Sequence, residues 1–213
     1  MTELLPSEQA RFEEVCRFGQ DRLEPLARTV ARAFVDDPVW QWIHDRPTTL
    51  DPDEVLPLAR AFVADTTAVD EIHGFRHHGA VALWRAPLER LTDEHVEYRR
   101  RRSAPHWRDL GDRIGDRMDL VREFGAAASA ARPDEPHWYL QIVGVEPERR
   151  GEGLGARVMS TMLERCDRLG LPTYLESSNP RNHSFYRRLG YVDQGEVAGG
   201  GSPPMTRFYR RPA

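Results

Sequence analysis

The sequence contains no lysine, and all 30 of its basic residues are arginine. A phosphate-binding loop of the GxxxxGK[ST] type needs a lysine at the terminal phosphates, so ATP or GTP hydrolysis by that route is excluded. Cysteine is nearly absent too, because only Cys16 and Cys166 are present. Two thiols are too few for a disulfide framework, and neither has a second thiol at metal-ligand spacing.

Long apolar runs are also missing. No stretch approaches the roughly 20 apolar residues that span a bilayer, and residues 1–14 lack the basic start and apolar middle of a secretory signal. We therefore expect a cytoplasmic protein without a membrane partner. The net charge of −4 argues against a nucleic-acid partner. His73, His77 and His78 lack a companion motif such as HExxH, so no metal site is expected.

What the sequence does contain is a globular composition, with 39% hydrophobic and 30% charged residues in 213. This length predicts one α/β domain over residues 1–213. Apolar periodicity, glycine and proline predict the order of elements. Strands are predicted at 15–18, 71–75, 80–84, 137–145, 172–176, 191–192 and 205–209, and helices at 22–34, 55–63, 154–169 and 186–189, with 88–131 charged and largely helical.

The most informative segment is the strand at 137–145, which runs into the glycine-rich turn Arg149–Gly155 and then a helix. Unpaired backbone amides converge at such a helix start, and the helix dipole favours an anion there. Gly151, Gly153 and Ala156 also fit the GxGxxA pattern of dinucleotide-binding folds, with acidic Glu176 further on. That alternative is disfavoured because the turn lies in the last third of the chain, which leaves no room for the further βα units.

Two motifs at the expected separation identify a family resemblance. Arg150, Gly153 and Gly155 fit R/Q-x-x-G-x-G/A, and Asn179 and Tyr186 stand seven apart ahead of Gly190. With these motifs the chain resembles the GNAT acetyltransferases, well from Trp138 onward and loosely before it. The segments 174–182, 185–186 and 33–38 resemble the puromycin N-acetyltransferase-like branch of that superfamily.

The resemblance implies an α/β (α+β) GNAT fold: a mixed, mostly antiparallel sheet of six or seven strands flanked by helices and splayed next to Val145. It also implies acetyl-CoA as co-substrate, held by a core at about 137–192, with the acceptor side at about 15–132. Tyr186 would protonate the leaving thiolate as a general acid. The residues that would contact the co-substrate are Val143, Gly144, Val145, Arg150, Gly151, Gly153, Leu154, Gly155, Ala156, Asn179 and Tyr186.

The proton acceptor and the acceptor pocket are less determined. Glu176 is a candidate catalytic base at a strand end, although a solvated glutamate fits there equally well. Asp37, His137 and a water chain are rivals. The acceptor is predicted to bind at Asp37, Trp40, Trp84 and Trp138. The tryptophans are included because tryptophan offers an apolar, cation-binding face. A core position would explain the tryptophans too, and the run Arg99–Arg102 fits a solvated helix face better than a substrate contact.

These features together predict an N-acetyltransferase that moves an acetyl group from acetyl-CoA to a primary amine of a small molecule, such as an antibiotic or metabolite. Transfer would be direct, in a ternary complex, by a monomer or homodimer. The alternative is a non-catalytic acyl-CoA-binding or sensing module that kept the turn and lost the acceptor.

Overall fold

A computed structural model describes residues 14–66 and 68–213, so the prediction about the opening segment lies almost wholly outside it. The strands are β1 Val15–Phe18, β2 Glu71–Phe75, β3 Ala80–Arg85, β4 Trp138–Val145, β5 Thr173–Ser177, β6 Val192–Val197 and β7 Met205–Arg210. The α-helices are α1 Leu23–Ala33, α2 Pro38–Ile43, α3 Pro52–Ala64, α4 Asp93–Ile114, α5 Arg117–Ala130, α6 Leu154–Leu169 and α7 His183–Arg188. None of the helices in the described ranges is long and apolar enough to cross a membrane.

The seven strands form one sheet in the order β1-β2-β3-β4-β5-β7-β6. Every neighbouring pair is antiparallel except β4 and β5, which are parallel. This confirms the predicted mixed, mostly antiparallel sheet flanked by helices. A dinucleotide-binding fold needs a mainly parallel sheet, so the alternative interpretation of the glycine turn is wrong.

The sheet is splayed at its centre. β4 and β5 pair only at Trp138 with Thr173 and at Tyr139 with Tyr174, although both strands continue well beyond these residues. β4 also contains a bulge, because Leu83 lies opposite Ile142 while Trp84 lies opposite Leu140. From Leu140 to Val145, the β4 edge that faces β5 has no strand partner, and this is the splay that the family resemblance implied next to Val145.

Two apolar layers hold the helices against the sheet. One face packs against α1, α3 and α4 through residues such as Val30, Leu58 and Ile142. The other packs against α6 through residues such as Trp84 and Met162. Because α1 and α6 lie on opposite faces, the end of α1 and the start of α6 approach the splayed edge from both sides.

Two elements differ from the sequence prediction. No helix was predicted between residues 34 and 55, but Pro38 is the first residue of α2, where a missing N–H costs nothing. The last predicted strands were too short: β6 continues to Val197 and β7 to Arg210, and the two pair with each other. The charged segment 88–131 is helical as predicted and divides at Gly115 into α4 and α5.

Candidate functional site

The turn between β4 and α6 leaves backbone amides available at the start of a 16-residue helix. Gly151 and Gly153 have φ values of 88° and 77°, which glycine adopts without strain. No heavy atom lies within 4 Å of where a Cβ would stand on either residue, and no side chain caps the helix. The first N–H groups of α6 are therefore free to bind an anion at the positive end of the helix dipole.

A cavity of about 640 Å³ begins at this turn and extends along the splayed edge of β4. All eleven residues that the sequence predicted for the co-substrate line it: Val143, Gly144, Val145, Arg150, Gly151, Gly153, Leu154, Gly155, Ala156, Asn179 and Tyr186. The half of the chain that was predicted to form the acceptor side contributes as well, through Ala33, Phe34, Asp36 and Asp37 at and after the end of α1. Both predicted halves of the chain thus meet at one cavity.

Part of the cavity lining was not predicted from the sequence. Arg149, Arg181 and Arg188 also face the cavity and, with Arg150, give it four cationic side chains. Arg181 lies two residues beyond the Asn179 motif, which is the signal that could have found it. The Arg150 guanidinium also donates from Nη2 to the Ala33 carbonyl oxygen at 2.9 Å, so it ties the turn to the end of α1.

Gly144 has a packing role besides its place at the cavity. A Cβ on Gly144 would stand 2.9 Å from the Ala33 Cβ, closer than two carbon side chains can approach. Only glycine lets α1 lie this near to β4. Nearby, Arg32 forms a two-pronged ion pair with Glu146, with Nε 2.7 Å from Oε2, which fixes the same helix to the strand end.

Tyr186 is a buried phenol on α7 that lines the cavity. Its ring lies 5.6 Å from that of Phe208 and 5.2 Å from that of Phe185, centroid to centroid. Burial raises the pKa of Tyr186 well above its ordinary value, and the charge of the Asp37 carboxylate raises it further. The hydroxyl is therefore protonated at neutral pH, which a general acid requires.

Asp37 lines the cavity between the end of α1 and the start of α2, a region called the α1–α2 corner below. The residue is 8% exposed. Its Oδ1 accepts hydrogen bonds from the Val39 and Trp40 amides at 3.0 and 3.1 Å, and its Oδ2 accepts one from the Ser178 hydroxyl. Burial raises the pKa of Asp37, and these three hydrogen bonds oppose that rise because they stabilise the carboxylate.

Glu176 and His137 lie outside the cavity. The Glu176 side chain is 2% exposed, and its Oε1 lies 3.8 Å from the Nε of Arg132. Burial raises the pKa of Glu176, while Arg132 acts against it. His137 stands just before β4 with its Nδ1 2.7 Å from the Glu135 carbonyl oxygen. Neither side chain lines the part of the cavity that Tyr186 and Asp37 border.

The structure corrects the tryptophan predictions. Trp84 and Trp138 are fully buried and pack between the sheet and α6. The bulge in β4 accounts for Trp138, which packs in the opposite layer from Ile142, whereas Trp84 belongs to β3. They are core residues and cannot touch an acceptor in the cavity. Trp40 is buried too, with its ring 4.6 Å from Phe34, so it supports a cavity wall without lining it.

Within residues 14–66 and 68–213, no group of three or more His, Cys, Asp or Glu side chains is arranged to hold a metal ion. His73 instead contacts the Glu71 carboxylate at 3.3 Å, and this buried carboxylate also forms ion pairs with Arg17 and Arg165.

The model of the acetyltransferase (GNAT) family matches residues 82–191, just over half of the chain. The chain belongs to the GNAT acetyltransferase family. GNAT members are acyltransferases, and a curated relative is an uncharacterized N-acetyltransferase of Schizosaccharomyces pombe, 38% identical over 64 residues. That match covers 30% of this chain and 26% of the relative, so it spans only about a quarter of the yeast protein.

Solved GNAT structures extend the likeness over nearly the whole chain. A Corynebacterium glutamicum protein described as histone acetyltransferase HPA2 and related acetyltransferase is 25% identical, with a TM-score of 0.64, over 93% of this chain and 96% of its own. Arylalkylamine N-acetyltransferase 2 of Aedes aegypti has a TM-score of 0.59 at 12% identity, over 94% and 99%. At that identity the second likeness concerns the fold alone.

Proposed function

We propose that this GNAT protein transfers an acetyl group from acetyl-CoA to a primary amine of a small molecule. The observation that carries the proposal is that the glycine turn at the start of α6 and the Tyr186 phenol line one cavity along an unpaired strand edge. An anion site alone would fit many ligands. An anion site joined to a protonated phenol fits a substrate with phosphates at one end and a leaving thiolate at the other.

The turn suits the pyrophosphate of coenzyme A. Glycines leave space for two phosphates against the amides of α6, and the four cavity arginines supply countercharge. The free edge of β4 offers backbone groups to an extended, amide-containing arm, much as it would to another strand. Val143 and Val145 lie on that edge and line the cavity.

For acetyl transfer, the protein has to position the two substrates and to move protons. The amine nitrogen attacks the thioester carbonyl, a C–N bond forms, and the C–S bond breaks. Tyr186 donates its hydroxyl proton to the departing sulfur, which suits a phenol whose pKa is raised by burial. Because no thiol lines the cavity in the described residues, we propose direct transfer between the two bound substrates rather than an acyl-enzyme.

The proposal that the acceptor is a small amine is based on the residues at the α1–α2 corner of the cavity. Phe34 and the Asp37 carboxylate lie on the cavity wall there, which suits an amine with an apolar body. We further propose a place in the puromycin N-acetyltransferase-like branch, supported by the segments 33–38 and 174–182.

Coenzyme A release, followed with a thiol reagent, tests this proposal. The wild-type protein is incubated with acetyl-CoA and, separately, tryptamine, spermidine, puromycin and an alanine-initiated peptide. Amine-dependent release with intersecting double-reciprocal lines is expected, because both substrates must be bound together. Parallel lines would indicate a covalent acyl-enzyme instead. Tight acetyl-CoA binding without amine-dependent release would favour a non-catalytic acyl-CoA-binding module.

A further inference from the structure

The carboxylate of Asp37, which lines the cavity, has an unused hydrogen-bonding position. An ionised carboxylate offers about four lone-pair sites, two on each oxygen. Oδ1 is filled by the amides of Val39 and Trp40, whereas Oδ2 accepts only the Ser178 hydroxyl. One acceptor site on Oδ2 is therefore left in a residue that is 8% exposed and lines the cavity.

Asp37 also differs from the neighbouring carboxylates in its charge environment. Glu176 is paired with Arg132 and does not line the cavity. Asp36 lines it but is exposed and accepts the Thr49 hydroxyl at 2.6 Å. No arginine or histidine pairs with Asp37 among the residues that the structure describes, so no cation competes for its negative charge.

We propose that Asp37 is the group that takes the proton from the acceptor amine, and that Ser178 is the positioning residue that holds its carboxylate. The proposal rests on the acetyl transfer proposed above. As the amine nitrogen bonds to the thioester carbon it becomes positively charged, and its N–H proton passes to the free site on Oδ2. The thioester C–S electron pair leaves with sulfur, which receives the Tyr186 proton.

The same corner returns the active site to its starting state. After transfer Asp37 is protonated and Tyr186 is a phenolate, so one proton moving from Asp37 to Tyr186 restores both groups. The two side chains line the same cavity, and the Asp37 carboxylate is near enough for its charge to raise the pKa of Tyr186. Amide, free thiol and unchanged enzyme are the products, and no other reactant is needed.

Ser178 has a distinct part in this scheme. It follows β5, while Asp37 precedes α2, so their hydrogen bond joins the two sides of the cavity corner. This bond lowers the pKa of Asp37 against the effect of burial. Removing it favours the protonated form, which cannot accept a proton, so the acid limb of the activity profile should move to higher pH.

The other charged or titratable groups that line the cavity bear on that profile. Its arginines stay charged at every usable pH. Tyr186 stays protonated because its pKa is raised. The remaining groups in the lining are Asp36, Arg149, Arg150, Arg181 and Arg188. Asp36→Asn is therefore the matched control, since it removes the same charge from the same corner.

The experiment measures kcat against pH with the fastest amine of the panel, together with the Kd for acetyl-CoA. Asp37→Asn should lower kcat by roughly 10²–10⁴-fold and flatten the acid limb, with the acetyl-CoA Kd within about threefold of wild type. Asparagine caps a helix as well as aspartate does, so α2 should stay folded. Ser178→Ala should shift the acid limb upward by about one pH unit, and Ser178→Thr should restore it.

The same amine is used for every variant, so its own titration is common to all profiles. The proposal would be overturned if Asp37→Asn kept the acid limb of the wild-type profile. It would also be overturned if Glu176→Gln or Asp36→Asn lost that limb instead. A limb that Ser178→Ala does not move would remove Ser178 from the scheme. Failure of the acetyl transfer itself looks different, because the wild-type protein would then acetylate no amine.

Discussion

Gly153→Glu tests the anion site most selectively. Residue 153 is the N-cap of α6 and lines the cavity, and a Cβ there meets no heavy atom within 4 Å, so the new carboxylate is placed beside the space assigned to the pyrophosphate. At an effective dielectric constant near 20, two unit negative charges repel by about 4 kcal/mol at 4 Å and about 2 kcal/mol at 8 Å. Acetyl-CoA should therefore bind roughly 30- to 1,000-fold more weakly.

Gly170→Glu is the control at the other end of the same helix. Gly170 has a φ of 64° against 77° for Gly153, and it too has no heavy atom within 4 Å of a built Cβ. Both variants therefore bear the same left-handed strain of about 1–2 kcal/mol and should lose roughly 2–8 °C in Tm. Only Gly153→Glu should lose affinity, because only the N-terminal end of α6 faces the cavity.

Isothermal titration calorimetry at low salt gives the affinities, and thermal melts give the stabilities. Wild-type affinity in Gly153→Glu would refute the assignment of the pyrophosphate to this turn. Equal loss of affinity in both variants would show that backbone strain rather than charge controls binding, and the electrostatic reasoning would fail.

The other predictions concern the phenol, the core and one ionic cluster. Tyr186→Phe should lower kcat by roughly 10²–10⁴-fold with an unchanged acetyl-CoA Kd in calorimetry, and full activity would remove the tyrosine from the mechanism. Trp84→Phe should lower the free energy of unfolding by roughly 2 kcal/mol in urea melts but leave KM for the amine alone, whereas a raised KM at normal stability would contradict its core position. Burial alone would raise the pKa of Glu71, but hydrogen bonds from His73 and Arg165 lower it to about 2. The contribution of the ionised Glu71 to folding stability is therefore present above the unfolded pKa and is lost as pH falls from about 4.5 toward 2. The Tm of Glu71→Gln should depend less on pH in this range than the Tm of the wild type. Parallel Tm profiles for the two proteins would refute this prediction.

The residues proposed to hold the co-substrate could be recognised in the sequence because the signals that mark them are local. Glycines at positions of positive φ, a strand before them and an amphipathic helix after them can all be identified within residues 137–169. The Asn179 and Tyr186 motif is local as well. The eleven residues predicted to contact the co-substrate all line the cavity, although their roles in binding and catalysis stay predictions.

The region predicted to form the acceptor side depends on long-range packing, which a single sequence does not reveal. The bulge at Gln141 decides which face Trp138 occupies, and nothing in the local pattern indicates it. The Asp37–Ser178 contact joins residues 141 positions apart. α2 was not predicted because proline disfavours helix in the residue before it, yet its fixed φ and missing N–H make Pro38 a good first residue once Asp37 supplies the cap.

Mass spectrometry of the amine product tests the central claim most directly. Purified protein, acetyl-CoA and each amine of the panel are incubated together, with Gly153→Glu and Tyr186→Phe in parallel. We predict that the wild-type protein converts at least one amine to its N-acetyl form and that both variants do so far more slowly. Acetyl-CoA binding without any acetylated amine, or equal conversion by all three proteins, would contradict the account.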